Sequence, residues 1–252
     1  MERIKLALSD YKKISLSEMN ESSLMRRYDQ KYIFAFSKLA DFIVALRTEY
    51  KVLSINERVI ASYENIYFDT PELKSYHDHH NKRGIRHKIR MRKYSDSGDC
   101  YLEVKSKNNK GTTDKKRMPV ANLSENLNED QYKFLAALSH DQISNLQTSL
   151  KNEFQRITLV SEESHERVTI DFLIHFQNNG NEKVLSETVV AEVKQEQHFH
   201  KSGFRQLMQD ERIFPASFSK YCMGTLLTHP GIKYNRFKSK LLTLNKINDG
   251  VA

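Results

Sequence analysis

The residues best suited to chemistry lie between Gly84 and Lys105, in GIRHKIRMRKY, a short Asp/Ser/Gly turn, and CYLEVK. Side chains in a strand point alternately to opposite faces. One face of the first segment carries Arg86, Lys88, Arg90, Arg92 and Tyr94, and the other carries Ile85, His87, Ile89 and Met91. In the second segment Tyr101, Glu103 and Lys105 oppose Cys100, Leu102 and Val104. The pattern predicts a β-hairpin with one apolar and one strongly cationic face. Like charges in a row on a strand repel, and a merely solvated face would mix both signs. The sharper reading is a cationic face that meets a polyanion.

The elements that must position this face follow from the rest of the chain. Residues 24–34 read as a strand with Arg27, Asp29, Lys31 and Ile33 on one side. Further strands are expected at 59–68, 112–120, 154–161, 165–175 and 187–195. In 112–120, Thr113, Lys115 and Arg117 share a face; in 165–175, Arg167, Thr169 and Asp171 do so; in 187–195, Glu192 and Lys194 do so. The hairpin supplies two more strands, which makes eight. Short turns make most neighbours antiparallel. Ser37 reads as an N-cap, followed by Leu39, Phe42, Ile43, Leu46 and Tyr50 at helical spacing. A second helix is expected over 128–148 on Tyr132, Leu135, Leu138 and Ile143, and helices return after 203, one of them starting near Ser219. Residues 1–20 read as a polar lead-in, 72–83 as a polar connection, and 233–252 as a basic tail. Asp69-Thr70-Pro71 reads as a strand stop.

The chain has 252 residues and a net charge of +8. No internal repeat or domain-length linker is visible, so a single domain over 1–252 is expected, with its motifs between about 24 and 228. The basic balance favours an anionic partner. Two cysteines, Cys100 and Cys222, define neither a disulfide framework nor a zinc site, and a reducing cytoplasm is the default. No apolar run suits a signal peptide or a membrane span, so a soluble protein is expected.

Apolar faces need burial, and helices can cover them. Closing eight strands into a barrel places the charged faces inside. The basic interior candidates are Arg27, Lys31, Arg86, Lys88, Arg90, Arg92, Lys105, Lys115, Arg117, Arg156, Arg167 and Lys194. The acidic ones are Asp29, Glu103, Asp171 and Glu192. Such an interior is expensive without counter-ions. Linear oligophosphate supplies charge along a line, Arg forks match its oxygens, and a carboxylate could hold a bridging divalent cation.

The motifs RRYDQKY, YFDT, R-x-K-x-R-x-R-x-Y, LEVK, DKKR, RVTID, AEVK and SKY, in this order, resemble the VTC domain. That is the polyphosphate polymerase domain of the vacuolar transporter chaperone family, within the triphosphate tunnel metalloenzymes. The resemblance implies an α+β fold built on an eight-stranded antiparallel tunnel with flanking helices. It implies that Lys31, Arg90, Arg92, Lys105, Arg156 and Arg167 line the tunnel and grip phosphate. Lys115 or Lys116 does likewise, with alternation favouring Lys115. Glu192 would hold Mn²⁺ or Mg²⁺, and Lys220 of SKY would bind phosphate near the tunnel. The implied reaction moves the γ-phosphate of a nucleoside triphosphate, ATP by default, to polyphosphate or pyrophosphate. The superfamily's E-x-E-x-K opening strand is here Arg27-x-Asp29-x-Lys31, with a base in place of the first acid, which suits the polymerase branch. No membrane segment or fused regulatory domain is expected.

Plainer readings stand beside these. Glu192 could simply pair with Lys194 or a neighbouring Arg, and Asp171 could be a structural salt-bridge partner. His77, His79 and His80 read as a solvated loop rather than a metal site. Tyr63, Tyr67 and Phe68 read as core. Hydrolysis of triphosphate or short polyphosphate in the same tunnel is an alternative activity. A polyanion-binding protein without catalysis is another, although nucleic acid is not expected, because the bases alternate onto an inward face.

Overall fold

The computed structural model describes residues 1–21, 27–109, 112–138, 145–196 and 201–250. In chain order the elements are α1 (Glu2–Ser9), β1 (Lys13–Ile14), α2 (Leu16–Glu21), β2 (Arg27–Ala35), α3 (Leu39–Leu46), β3 (Lys51–Leu53), β4 (Ala61–Asp69), α4 (Lys74–His80), β5 (Arg86–Tyr94), β6 (Cys100–Lys107) and β7 (Thr113–Pro119). Then follow α5 (Glu129–Ala136), β8 (Gln147–Ser161), β9 (Glu166–Asn178), β10 (Asn181–Leu185), β11 (Thr188–Glu196), α6 (Gly203–Asp210), α7 (Lys220–Thr228) and α8 (Lys238–Asn248).

The eight expected strands form one antiparallel path, β2-β11-β9-β8-β4-β5-β6-β7, flanked by helices. The sheet curls: Lys31 of β2 and Lys88, Lys105 and Lys107 of β5 and β6 line the same cavity. The hydrogen-bonded ladder does not close, which corrects the expected barrel. Among the described residues β7 pairs with β6 alone, and the free edge of β2 is met by a loop, with the Ala216 N–H donating to the Lys31 carbonyl at 2.8 Å.

Alternation decides which face is covered. On the convex side, Tyr32, Phe34, Ile157, Leu159, Val168, Ile170, Val189 and Ala191 pack beneath α1, α3 and α6. Ile66, Phe68, Ile89, Met91, Leu102 and Val104 pack beneath Leu135 of α5. Each such side chain contributes roughly 1.5–3 kcal/mol by leaving water, which fixes the opposite, polar face inward. Part of the concave face is apolar too. There Ile33, Leu150, Phe154, Ile174, Phe176 and Val190 meet α7 and α8.

A bulge makes this change of character possible. Leu173 adopts a φ of 49°, and the β8–β9 register shifts between Glu153 and Gln155. Before it, Asp171 faces inward and Phe172 outward; beyond it, Ile174 and Phe176 face inward. An extra residue in one strand reverses the facing of all that follow.

Several expectations shift at their edges. Residues 24–26, and Ile143 within the 128–148 helix, lie outside the described residues. That helix ends at Ala136, and Gln147 already opens β8, so the strand expected at 154 starts seven residues earlier. Ser37 lies inside a short 3-10 turn, Phe36–Lys38, rather than capping α3. The polar connection at 72–83 contains α4, whose Tyr76 is wholly buried, and the basic tail contains α8, anchored by Leu244 and Ile247. The turn after β9 is a two-residue hairpin through Asn179 and Gly180, both at positive φ, as a type I′ turn requires.

Ser219 caps α7 by accepting from the Cys222 N–H. One turn on, a Cβ at Gly224 would lie 2.5 Å from Phe176 and 2.6 Å from Leu150. Gly224 is therefore what lets α7 sit on the concave face. Gly224→Val is expected to cost about 1–3 kcal/mol through overpacking, read as a lower urea midpoint; an unchanged midpoint would show that α7 does not seat here.

Candidate functional site

Register builds the site row by row. Lys31 lies opposite Glu192, which lies opposite Thr169. Asp29 lies opposite Lys194 and Lys194 opposite Arg167. Asp171 pairs with Arg156, and Arg90 with Glu103, which in turn faces Arg117. Every one of these side chains comes from the inward half of its strand.

Three carboxylates each bridge two cations. Glu103 accepts from Arg90 Nε at 2.8 Å and Nη2 at 2.6 Å, and its other oxygen meets Lys115. Asp171 takes a two-point fork from Arg156, at 2.5 and 2.7 Å, and also accepts from Lys220. Glu192 Oε1 accepts from Lys31 at 2.7 Å and Lys194 at 3.1 Å. Lys116 instead reaches Asp114, at 3.7 Å.

On the neighbouring strands β4 and β8, where Tyr63 lies opposite Phe154, stands an aromatic platform. Tyr63 and Phe154 stack with centroids 5.1 Å apart and planes 5° apart. Arg156 lies 4.8 Å and Arg92 5.2 Å from the Tyr63 ring, and Lys220 lies 4.3 Å from the Phe154 ring. Ring faces attract cations most where water is scarce. Tyr63, Tyr67 and Phe68 are buried, as expected of core, yet Tyr63 and Tyr67 also carry guanidiniums. Arg92 is only 7 % exposed, and its Nε donates to Asn65 Oδ1 at 2.7 Å.

The remaining candidates spread outward. Lys88 donates to Ser219 Oγ at 2.8 Å, and Lys105 faces the same cavity. Arg86 donates to the Arg83 carbonyl, Arg117 covers the Tyr101 ring at 4.6 Å, and Arg167 lies 3.9 Å from Met19 Sδ. The Arg27 backbone opens β2, but its side chain lies outside the described residues.

The charge states follow from burial and neighbours. Burial alone would raise Glu103 and Asp171. For Glu103 the nearby Arg90, Arg92 and Lys115 outweigh it, and for Asp171 Arg156 and Lys220 do so; both are held at about 2. Burial likewise works against ionised Glu192, and Lys31 and Lys194 override it and hold it far below the usual carboxylate range. Burial lowers Lys220 to about 8, with Arg156 and Arg92 adding to the effect against Asp171. Burial also brings Lys105 to about 8, opposed by Glu192 and helped by Lys31, Lys194 and Lys88.

Two functional features escaped the sequence reading. Asp69 is buried and accepts from the N–H groups of Thr70, Ser75 and Tyr76 and from the Tyr221 hydroxyl, so it ties α4 to α7 beside Lys220. An Asp-Thr-Pro just before a helix is a capping signal. Phe154 went unnoticed because nothing local marks it as a partner of Tyr63. The histidine cluster lies on α4, not in a solvated loop: His80 is 2 % exposed and its Nε2 accepts from the Arg236 N–H. Among the described residues no group of three or more His, Cys, Asp or Glu side chains is placed to hold a metal.

A family model of the VTC domain matches residues 26–229. The chain belongs to the VTC domain family. No curated protein matches the sequence. Among solved structures it is similar to a putative adenylate cyclase from Vibrio parahaemolyticus, at 14 % identity and a TM-score of 0.47, over 80 % of this chain and 99 % of that one. A putative adenylate cyclase from Bacillus halodurans shares 14 % identity at a TM-score of 0.46, over 77 % and 94 % of the two chains. A putative adenylyl cyclase from Hippeastrum with a dominant triphosphatase activity shares 12 % identity at a TM-score of 0.43, over 79 % and 95 % of the two chains.

The bridged carboxylates predict an acid-labile fold. Their folded pKa values lie below those of unfolded carboxylates, so their stabilisation is complete above the unfolded range and is lost as pH falls through the folded values. Unfolding free energy from denaturant titrations should fall steeply between about pH 5 and about pH 2. A flat profile there would mean that the bridges do not form.

Proposed function

We propose that the chain transfers the terminal phosphoryl group of a nucleoside triphosphate, ATP in the first instance, to polyphosphate or pyrophosphate within the concave face. The observation that carries this is the surplus of inward cations over inward carboxylates, arranged in rows along the strands. Phosphoryl transfer asks a protein for position and charge neutralisation rather than covalent chemistry.

In this reading Arg90, Arg92, Arg156 and Arg167 hold triphosphate oxygens with guanidinium forks. Lys31, Lys88, Lys105, Lys115, Lys194 and Lys220, with Arg86 and Arg117 at the periphery, keep donor and acceptor phosphates together and in line. Lys105 and Lys220, near 8 without ligand, become firmly protonated when phosphate arrives, because a neighbouring anion favours the charged form.

A divalent cation fits Glu192. Its carboxylate is ionised, both ammonium contacts fall on Oε1, and Mg²⁺ or Mn²⁺ commonly takes one or two carboxylates with the rest supplied by phosphate and water. Held there, it would neutralise charge on the leaving diphosphate. The acceptor phosphate is already anionic and needs no base. A water nucleophile would need one, and Glu103, Asp171 and Glu192 are each committed to two cations and are weak bases. This favours transfer over hydrolysis. No helix among the described residues is long and apolar enough to cross a membrane. We take the chain to work as one domain, in the cytoplasm.

Glu192→Gln keeps the shape and removes the charge. It should abolish Mn²⁺-dependent ATP consumption and polyphosphate ladder formation, while tripolyphosphate still binds, as tightly as before or more so. Near-normal turnover in the folded variant would reject the metal-ligand role.

A further inference from the structure

Where α4 meets the start of α8 the surface carries bases and no acid. The loop after α4, residues 81–86, contributes Lys82, Arg83 and Arg86, and residues 233–240 contribute Lys233, Arg236, Lys238 and Lys240. Neither stretch holds an Asp or Glu, and none occurs anywhere in 229–248.

Packing brings the two stretches together. The Tyr76 hydroxyl donates to the Lys233 carbonyl at 2.9 Å, and the Arg236 N–H donates to His80 Nε2 at 3.3 Å. Phe237 stands edge-on to Tyr76 and His80, with centroids 5.8 and 5.2 Å apart. Arg86 Nη1 donates to the Arg83 carbonyl at 2.7 Å and ties the loop down. Burial lowers the Lys240 pKa; Cys222 opposes this and Lys82 adds to it, so the two ammoniums stand close together.

These bases differ from others on the surface. Arg3 pairs with Asp41, Arg47 with Asp10, Lys51 with Glu162 and Lys151 with Glu125. Lys82, Arg83, Lys233, Arg236 and Lys238 are exposed, and among the described residues none of them forms an ion pair. Asp78 of α4 is held by Lys74 at 2.6 Å. Within the same two stretches Ile85 and Tyr234 are 54 % and 43 % exposed.

We propose that this α4–α8 surface docks the protein on an anionic lipid bilayer, with the bases against the headgroups and Ile85 and Tyr234 set into the interface. Bases near such a surface add to affinity one by one, each on the order of fivefold. Apolar side chains among them add nothing to the grip on a phosphate chain or a duplex backbone. At a bilayer they enter the boundary between headgroups and acyl chains, and Tyr suits that depth because its ring is apolar and its tip polar. The inference stands apart from the phosphate reading of the concave face, since Lys82, Arg83, Lys233 and Arg236 lie outside the cavity lining.

Sedimentation with vesicles tests it, using phosphatidylcholine alone and an equal mixture with phosphatidylserine. The wild type should bind the mixed vesicles, more weakly as salt rises, and leave the neutral ones. Lys82→Gln, Arg83→Gln, Lys233→Gln and Arg236→Gln together should lower the affinity by about a hundredfold or more with thermal melting unchanged. Removing four bases elsewhere, by Arg3→Gln, Lys13→Gln, Arg47→Gln and Lys51→Gln, should leave it within about threefold. The chain has no tryptophan, so Tyr234→Trp supplies a single reporter, whose emission should shift to the blue on the mixed vesicles. An equal loss in the second set of variants would reduce the effect to net charge and overturn the docking surface. So would a wild type that treats the two kinds of vesicle alike, or a reporter whose emission does not move. Tighter binding of a nucleic-acid duplex than of mixed vesicles through the same four bases would overturn it as well.

Discussion

Charge balance on a concave surface is the constraint to which the other features answer. Six cations from β2, β5, β7, β8, β11 and α7 converge on Glu103, Asp171 and Glu192. A carboxylate in such a place cannot be removed cheaply, because losing one partner of a buried pair leaves the other charge uncompensated. The same bridges cross from strand to strand: Glu192 joins β11 to β2, and Asp171 joins β9 to β8 and to α7. They hold the curvature that brings distant strands to face one another. The convex cores do the complementary work, since alternation lets one residue of each pair be buried under a helix only if its neighbour faces inward.

Balance is incomplete by design of the lining. Arg92 has an amide for a partner and Lys88 a hydroxyl, and each is less well served than Arg90 or Arg156. Burial and nearby cations lower both. On the proposed function, a phosphate chain would restore what the carboxylates leave unmet, its oxygens sharing the forks that Glu103 and Asp171 now hold. Binding and protonation would then be linked, because Lys105 and Lys220 would gain an anionic neighbour at the same moment.

Much of this was legible in alternation. The faces assigned to Arg86 through Tyr94, to Thr113, Lys115 and Arg117, and to Glu192 and Lys194 are those of the structure, because a strand has period two and one side is covered. What alternation could not show was anything decided across the chain. Leu173 adopts positive φ without a glycine to announce it, so the reversal of facing after Asp171 left no trace. The first half of β8 has Leu150 and Phe154 four residues apart, which reads as helix, and only pairing with β4 and β9 settles the matter. In α4 the histidines mask a helix whose one large apolar side chain, Tyr76, finds its cover on Phe237, far along the chain. Ring closure failed as an expectation because the loop through Ala216 occupies the edge that β7 would need.

The claim that the concave face is a polyphosphate site is tested most directly by tripolyphosphate binding to Arg90→Ala with Arg92→Ala, measured by calorimetry beside the wild type. Both side chains project inward from β5, and charge-assisted hydrogen bonds are worth roughly 1.5–3 kcal/mol each. The account predicts tight, salt-sensitive binding by the wild type and none measurable in the folded double variant. Unchanged affinity in a variant that keeps its fold would contradict it.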